Sequence, residues 1–438
     1  MKFSFENNKL FYFMSILLIS ILIGTFSATS YIIPVSLILF VVIIIGYISK
    51  KNLELILAVV IFLSFAGGTI PWYLLDIEEN RTLIIFGLNL LIFISVIFFN
   101  KINLNKYNLT IIFILLILIS SFYIATLYSA NVSYGQYKIE SLFAWAFFPA
   151  LILVFVWKLP KEKHVLYLLV SVGMLEAFNL LYHFDELMLG RLAYEGQNPI
   201  WVARTLGYAA LGFLILNIKK KKGYFLFLSV IFLSLMALTG SKGPIISLLL
   251  AVLYYIIKTK GIKFIRPILF MSGIVIAFMI LIDVENYDIT RIFDISGESA
   301  SFIERFRIYD VGFRAWAESV LFGQGLGGYS AFIGEVGVRT YPHNILIEII
   351  SEMGMIGLVI IILLAISTIY SLRVLKNKKI IVEINQTSLY IYPTIFFYVL
   401  SNSMFSGDLA QNTSVWVSLT LLIMFSIKLK NQNGNMDT

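Results

Sequence analysis

Apolar stretches long enough to cross a bilayer follow one another along nearly the whole chain, and no water-soluble core absorbs that many. Runs of about 18–22 residues lie near 10–28, 31–49, 53–75, 82–100, 108–128, 141–157, 164–183, 200–217, 223–239, 243–258, 264–283, 344–372, 388–407 and 412–427. Those near 200, 223 and 243 are short or interrupted, so the expected fold is an all-α, polytopic transmembrane helix bundle of about 12–14 spans. Composition agrees: 59% of the 438 residues are hydrophobic and 13% are charged, against roughly 25% charged in a soluble domain. The first run follows Lys2 and Lys9, as the core of a signal peptide does. It is long, has no clear small-residue cleavage site and is followed by further spans, so it reads as a retained span. The absence of cysteine removes disulfides and thiolate metal sites.

Charge sets the expected topology. With the N-terminus in the cytoplasm, the basic connections all fall on the cytoplasmic side. They are Lys50 with Lys51, Lys101 with Lys106, Lys158 with Lys161 and Lys163, the lysines at 219–222, Lys258 through Arg266, Arg373 through Lys379, and Lys428 with Lys430. Both termini are then cytoplasmic. Asp76, Glu78, Glu79, Asp185, Glu186 and most carboxylates between 283 and 335 fall on the opposite side. The net charge of +8 is therefore a topology signal. Scattered over short loops, without a groove or stacking platforms, it does not make a nucleic-acid surface.

Residues 1–430 read as a single polytopic membrane domain, 284–342 as a large extracytoplasmic loop within it, and 431–438 as a disordered tail. A loop of that length is a functional element rather than a simple connection. Within it, Phe302, Phe306, Ile308, Tyr309, Phe313 and Trp316 recur at spacings that predict an amphipathic helix, lying on the outer leaflet or capping a cavity.

Ionisable residues at the outer ends of spans are functional candidates because a charge in hydrocarbon is costly. They are Arg204 in GQNPIWVARTLGY, Lys242 in LTGSKGPII, His343 in YPHNILIEII, and Glu348 and Glu352 beyond it, with Arg305 and Arg307 on the loop. Glu348 and Glu352 share a helix face; His343 is five residues before the first and out of register with it. The bland reading of His343 is a helix-start histidine bonded to a backbone carbonyl. Lys242, flanked by Gly240 and Gly243 with Thr239 and Ser241 nearby, suits an anion cradle at a helix start. Its bland alternative is a turn whose lysine snorkels. His164 lies in a basic turn and His183 at a span end, read as topological and interfacial. FGQGLGG at 322–328 lacks the setting of a dinucleotide site and reads as a flexible turn. Asp283, Glu285 and Asp288 read as a solvated acidic cluster.

Four segments, RLAYEGQNPIWVAR, ALTGSKGPIISLLL, SASFIERFRIYDVGFRAWAESVLFGQGLGGYS and YPHNILIEIISEMGMIGLVI, together resemble the O-antigen ligase and polysaccharide polymerase superfamily of bacterial membrane glycosyltransferases. The resemblance spans roughly 190–375. It implies an enzyme of the cytoplasmic (inner) membrane that acts on undecaprenyl-diphosphate-linked glycans from the extracytoplasmic side. Arg305, Lys242 and Arg204 would hold the diphosphate, and His343 would serve as the catalytic base or as another phosphate ligand. Ser241, Asn344, Glu348 and Arg307 would support them. Lysine at 242 departs from the arginine more frequent there, replacing a bidentate fork with a point charge. Basic side chains rather than Mg²⁺ are expected to neutralise the diphosphate, with no metal and no cofactor. The implied partners are the lipid-linked glycan donor, a glycan or lipid-linked acceptor, membrane lipids, and chain-length regulator or flippase proteins, but no nucleic acid. Polymerisation of repeat units leads, ligation to lipid A core or another acceptor is the close alternative, and a transporter or flippase is the alternative of a different class.

Overall fold

The computed structural model describes residues 32–66, 68–70, 80–102, 104–187, 191–259, 300–335, 339–376 and 386–434. The spans expected at 10–28 and 264–283, the acidic groups at 283, 285 and 288, and residues 435–438 lie outside the described residues.

Described in chain order, the helices are α1 (Ile32–Ala66), α2 (Arg81–Phe99), α3 (Lys106–Leu127), α4 (Val132–Val156), α5 (Glu162–Tyr182), α6 (Pro199–Lys220), α7 (Gly223–Leu238), α8 (Lys242–Thr259), α9 (Ala300–Glu318), α10 (Gly328–Phe332), α11 (Ile345–Leu375), α12 (Ile391–Ser403) and α13 (Thr413–Gly434). Eight of them are long and apolar enough to cross a membrane. The fold is the all-α polytopic bundle that hydropathy predicts. α1 is two helices joined at Asn52, whose φ of −146° and ψ of 66° leave helical space just after Lys50 and Lys51. Its arms answer to the two spans read at 31–49 and 53–75. α13 continues to Gly434, four residues into the stretch read as a tail.

One boundary differs in an instructive way. The span read from 141 begins at Val132, because VSYGQYKIESL is polar and helical at once. A hydropathy window discards it, yet its Tyr134, Lys138 and Ser141 are buried against protein rather than facing lipid. A π-helical turn, Phe143–Phe147, joins this polar part to the apolar Phe148–Val156.

The hydrogen bonds sort the connections to two ends of the bundle. At one end Lys219 pairs with Glu162 and bonds Ser388, Lys158 and Lys161 approach Glu54 at 3.5 and 3.2 Å, and the Tyr392 hydroxyl donates to Pro160 O. This end carries the lysine-rich connections. At the other end the Asn179 side chain donates to Thr69 O, Leu326 N–H to Ala125 O, and the Asn131 side chain to Ser330 Oγ. α4, α6, α8, α11 and α13 start there, and that is where the candidate residues gather.

Candidate functional site

The site is organised by a connection that hydropathy passes over, the loop 404–412 (MFSGDLAQN) between α12 and α13. Five other segments reach it. The Tyr309 hydroxyl of α9 and the Asn344 side chain both donate to Met404 O, each at 3.4 Å. Phe405 packs against Gly243 at the start of α8, where an added Cβ would lie 2.8 Å away. Arg204 donates from Nη1 to Ser406 O at 3.3 Å and from Nη2 to Asn412 Oδ1 at 2.7 Å, while its guanidinium lies 4.2 Å over the Trp201 ring. The Tyr134 hydroxyl of α4 donates to Asp408 Oδ2 at 2.6 Å.

Arg204, expected as a diphosphate ligand, is 3% exposed, and its guanidinium is engaged by the loop and by Trp201. A guanidinium so enclosed anchors the loop. Glu348, expected in a supporting role, is fully buried. Lys138 Nζ lies 2.6 Å from both Glu348 Oε1 and Glu352 Oε1, and all three side chains are 0% exposed. The shared face of the two glutamates was legible in their spacing; their partner Lys138 was not, because it falls in the polar stretch left out of the span.

His343 heads this assembly. Its φ of 54° places it in the left-handed region, a conformation that costs a β-carbon residue of order 1–3 kcal/mol and clusters at functional sites. Asn344 follows as the N-cap of α11, its side chain accepting from the N–H groups of Leu346 and Ile347 at 3.0 and 3.3 Å. The imidazole packs 4.5 Å from the Tyr341 ring. Among the described residues it makes no hydrogen bond, so the backbone-carbonyl bond of the bland reading is not found there. Burial first, and the charge of Arg305 second, push its pKa down to about 4. At neutral pH it is an uncharged imidazole. Tyr341 connects the parts: burial and the negative charges of Asp408 and Glu348 push its phenol pKa up, while Arg204 pulls it down.

Arg305 lies on α9 in register with Tyr309, Gly312 and Trp316, the stripe turned toward the bundle. Gly312 is there because α9 crosses α11 so closely that a Cβ would strike Ile347. The apolar stripe expected on this helix is therefore split. Ile308, Tyr309 and Trp316 are partly buried on the bundle, whereas Phe306 and Phe313 are exposed. Arg307 is exposed as well.

Lys242 is the first residue of α8 and half-buried. The turn before it is fixed by Ser241 N–H to Thr239 Oγ1 at 3.2 Å and by Arg191, which donates to Thr239 O at 3.0 Å and to Ser241 Oγ at 3.3 Å. Arg191 was not singled out from the sequence, although it opens one of the resembling segments. His183 accompanies this end, 2.8 Å from Glu186 and stacked on Tyr194.

The FGQGLGG turn is packed rather than flexible. α11 breaks at Gly354, with φ 59° and ψ −136°, a conformation open essentially to glycine alone. The turn docks into the break: Gln324 N–H donates to Ser351 O at 2.9 Å, and Met355 N–H to Val320 O at 2.9 Å and Leu321 O at 3.1 Å. Carbonyls and N–H groups freed by the break are thereby satisfied within protein.

Residues 227–362 match the family model described as O-antigen ligase. That stretch carries Lys242, Arg305, His343, Glu348 and Glu352, and the match supports the superfamily that the four motifs resemble. No curated protein matches the chain.

Proposed function

We propose that this multi-pass member of the O-antigen ligase and polymerase superfamily is an outer-leaflet glycosyltransferase that polymerises undecaprenyl-diphosphate-linked repeat units into a surface polysaccharide. The observation that carries the reading is that Asn344, Tyr309 and Gly243, neighbours of His343, Arg305 and Lys242, all meet the loop 404–412, and that the charge of Arg305 acts on His343, at the end of the bundle away from the lysine-rich connections. Positive-inside bias makes that end extracytoplasmic.

Transfer forms a bond from an acceptor hydroxyl oxygen to the anomeric carbon of the donor sugar while the carbon–oxygen bond to the diphosphate breaks. The electron pair leaves on the diphosphate, where Arg305 and Lys242 stabilise the developing charge. The hydroxyl proton passes to the imidazole of His343, which its surroundings keep neutral and able to accept. Arg204, enclosed by the loop, holds Asn412 and Ser406 in place rather than meeting the phosphates. Residues 1–430 act as one membrane domain, both termini are cytoplasmic, and basic side chains take the role a metal plays in other glycosyltransferases.

Ligation is the second reading, favoured by the family description itself. Gel profiling of surface glycan separates them, in a deletion strain complemented with wild type, His343→Ala or Arg305→Ala at matched membrane levels. Single repeat units at the surface without long chains mark a polymerase. Loss of all attached glycan with lipid-linked polymer accumulating marks a ligase. Wild-type profiles from both variants would defeat the reading.

A further inference from the structure

We infer that Lys138 is a positioning residue of the site: by gripping Glu348 and Glu352 it sets the rotation and depth of the first two turns of α11, and with them Asn344 and His343. The inference rests on the proposed function for its activity readout, and on geometry for the rest.

Residues 345–353 form a half-helix cut off from the remainder of α11 by the break at Gly354. A continuous helix would fix their rotation through its own hydrogen bonds; this one depends on its neighbours. Glu348 and Glu352 lie one turn apart on one face, and a single ammonium 2.6 Å from an oxygen of each defines both the angle and the height of that face. Lys138 is itself fixed. It sits 4.5 Å over the Tyr134 ring, whose hydroxyl bonds Asp408 of the organising loop. The triad thus joins α4, the half-helix and the loop 404–412 through one chain of contacts.

A buried ion triad is a poor means of gaining stability alone, since apolar residues of like volume hold as well or better. Here the second oxygens, Glu348 Oε2 and Glu352 Oε2, have no partner among the described residues. The arrangement contributes direction rather than saturation of its hydrogen bonds. A carboxylate pair slipping past the ammonium by one turn would swing the head of the half-helix, and His343 with it, away from Arg305.

The test uses the full chain in lipid nanodiscs, comparing wild type, Lys138→Arg, Lys138→Met and the neutral triple variant Lys138→Met/Glu348→Gln/Glu352→Gln. The triple variant removes the charges together and keeps the experiment meaningful if Lys138→Met does not fold. Expected is a triple variant that melts within a few degrees of wild type and keeps KM within about twofold, while kcat falls at least about tenfold. Lys138→Arg should restore part of it. A second readout needs no turnover. The chain has three histidines, so in a His164→Gln/His183→Gln background diethyl pyrocarbonate reports on His343 alone. Its modification rate should change at least about threefold in the triple variant. A folded triple variant with wild-type kcat and an unchanged modification rate would overturn the inference. If wild type fails to turn over a lipid diphosphate donor, the proposed function falls and the modification rate alone decides the role of Lys138.

Discussion

Two kinds of cation meet at one end of this bundle. Lys138 and Arg204 are wholly enclosed, and protein groups take up their donors: carboxylates for the first, a carbonyl, an amide oxygen and an indole face for the second. Arg305 is half-exposed, has no ion pair among the described residues and makes itself felt on His343. A cation so buried cannot meet an arriving diphosphate unless its enclosure opens. One in the position of Arg305 can. The difference separates cations engaged by protein from one left half-exposed.

Substitutions sharpen or break that division. The largest effect is expected at His343→Ala, a loss of about 10³-fold in kcat, within the range for removing a general base. Turnover in nanodiscs with a lipid diphosphate donor measures it; a loss below tenfold would move His343 out of the chemistry. Next comes Arg305→Ala, expected to cost about 10²-fold in kcat, with Arg305→Lys intermediate because the charge stays and the fork is lost. Arg204→Ala should act on the fold instead, lowering stability by about 2–4 kcal/mol by leaving Asn412 and Ser406 O without their donor. Thermal unfolding in detergent reads this. Unchanged melting together with a raised KM would return Arg204 to the diphosphate and break the comparison. Gly354→Ala should lose about 1–3 kcal/mol, because φ 59° and ψ −136° are hostile to a side chain. The smallest effect is on pH dependence. The acid limb of kcat/KM should lie near 4 rather than at the ordinary histidine value. Arg305→Ala should raise it only part of the way, since burial is the larger cause and its loss is not part of that change.

The apolar runs located nearly every described span, because a bilayer demands length and hydropathy that few other contexts imitate. Resemblance picked out His343, Arg305 and Lys242; their chain neighbours Asn344, Tyr309 and Gly243 meet one loop. What escaped the sequence is what depends on partners distant along the chain. Lys138 looks like an ordinary polar helix residue until Glu348 and Glu352, some 210 residues on, are seen beside it. The loop 404–412 is nine residues of small and polar groups whose importance lies in what reaches it. Arg204 was found from its place at a span end; that its guanidinium bonds Ser406 O and Asn412 is invisible in sequence, which does not report which donors are already engaged. Gly354 lies within one of the resembling segments; that it breaks a helix to receive FGQGLGG is visible only when the two segments meet.

Reconstitution of the purified chain tests the account most directly. It would be placed in lipid nanodiscs with an undecaprenyl-diphosphate-linked repeat unit as sole substrate, alongside Arg305→Ala and His343→Ala proteins of equal melting temperature. The account predicts release of undecaprenyl diphosphate with growth of longer lipid-linked glycans by the wild type, and little of either by the two variants. Elongation undiminished in both variants would contradict it.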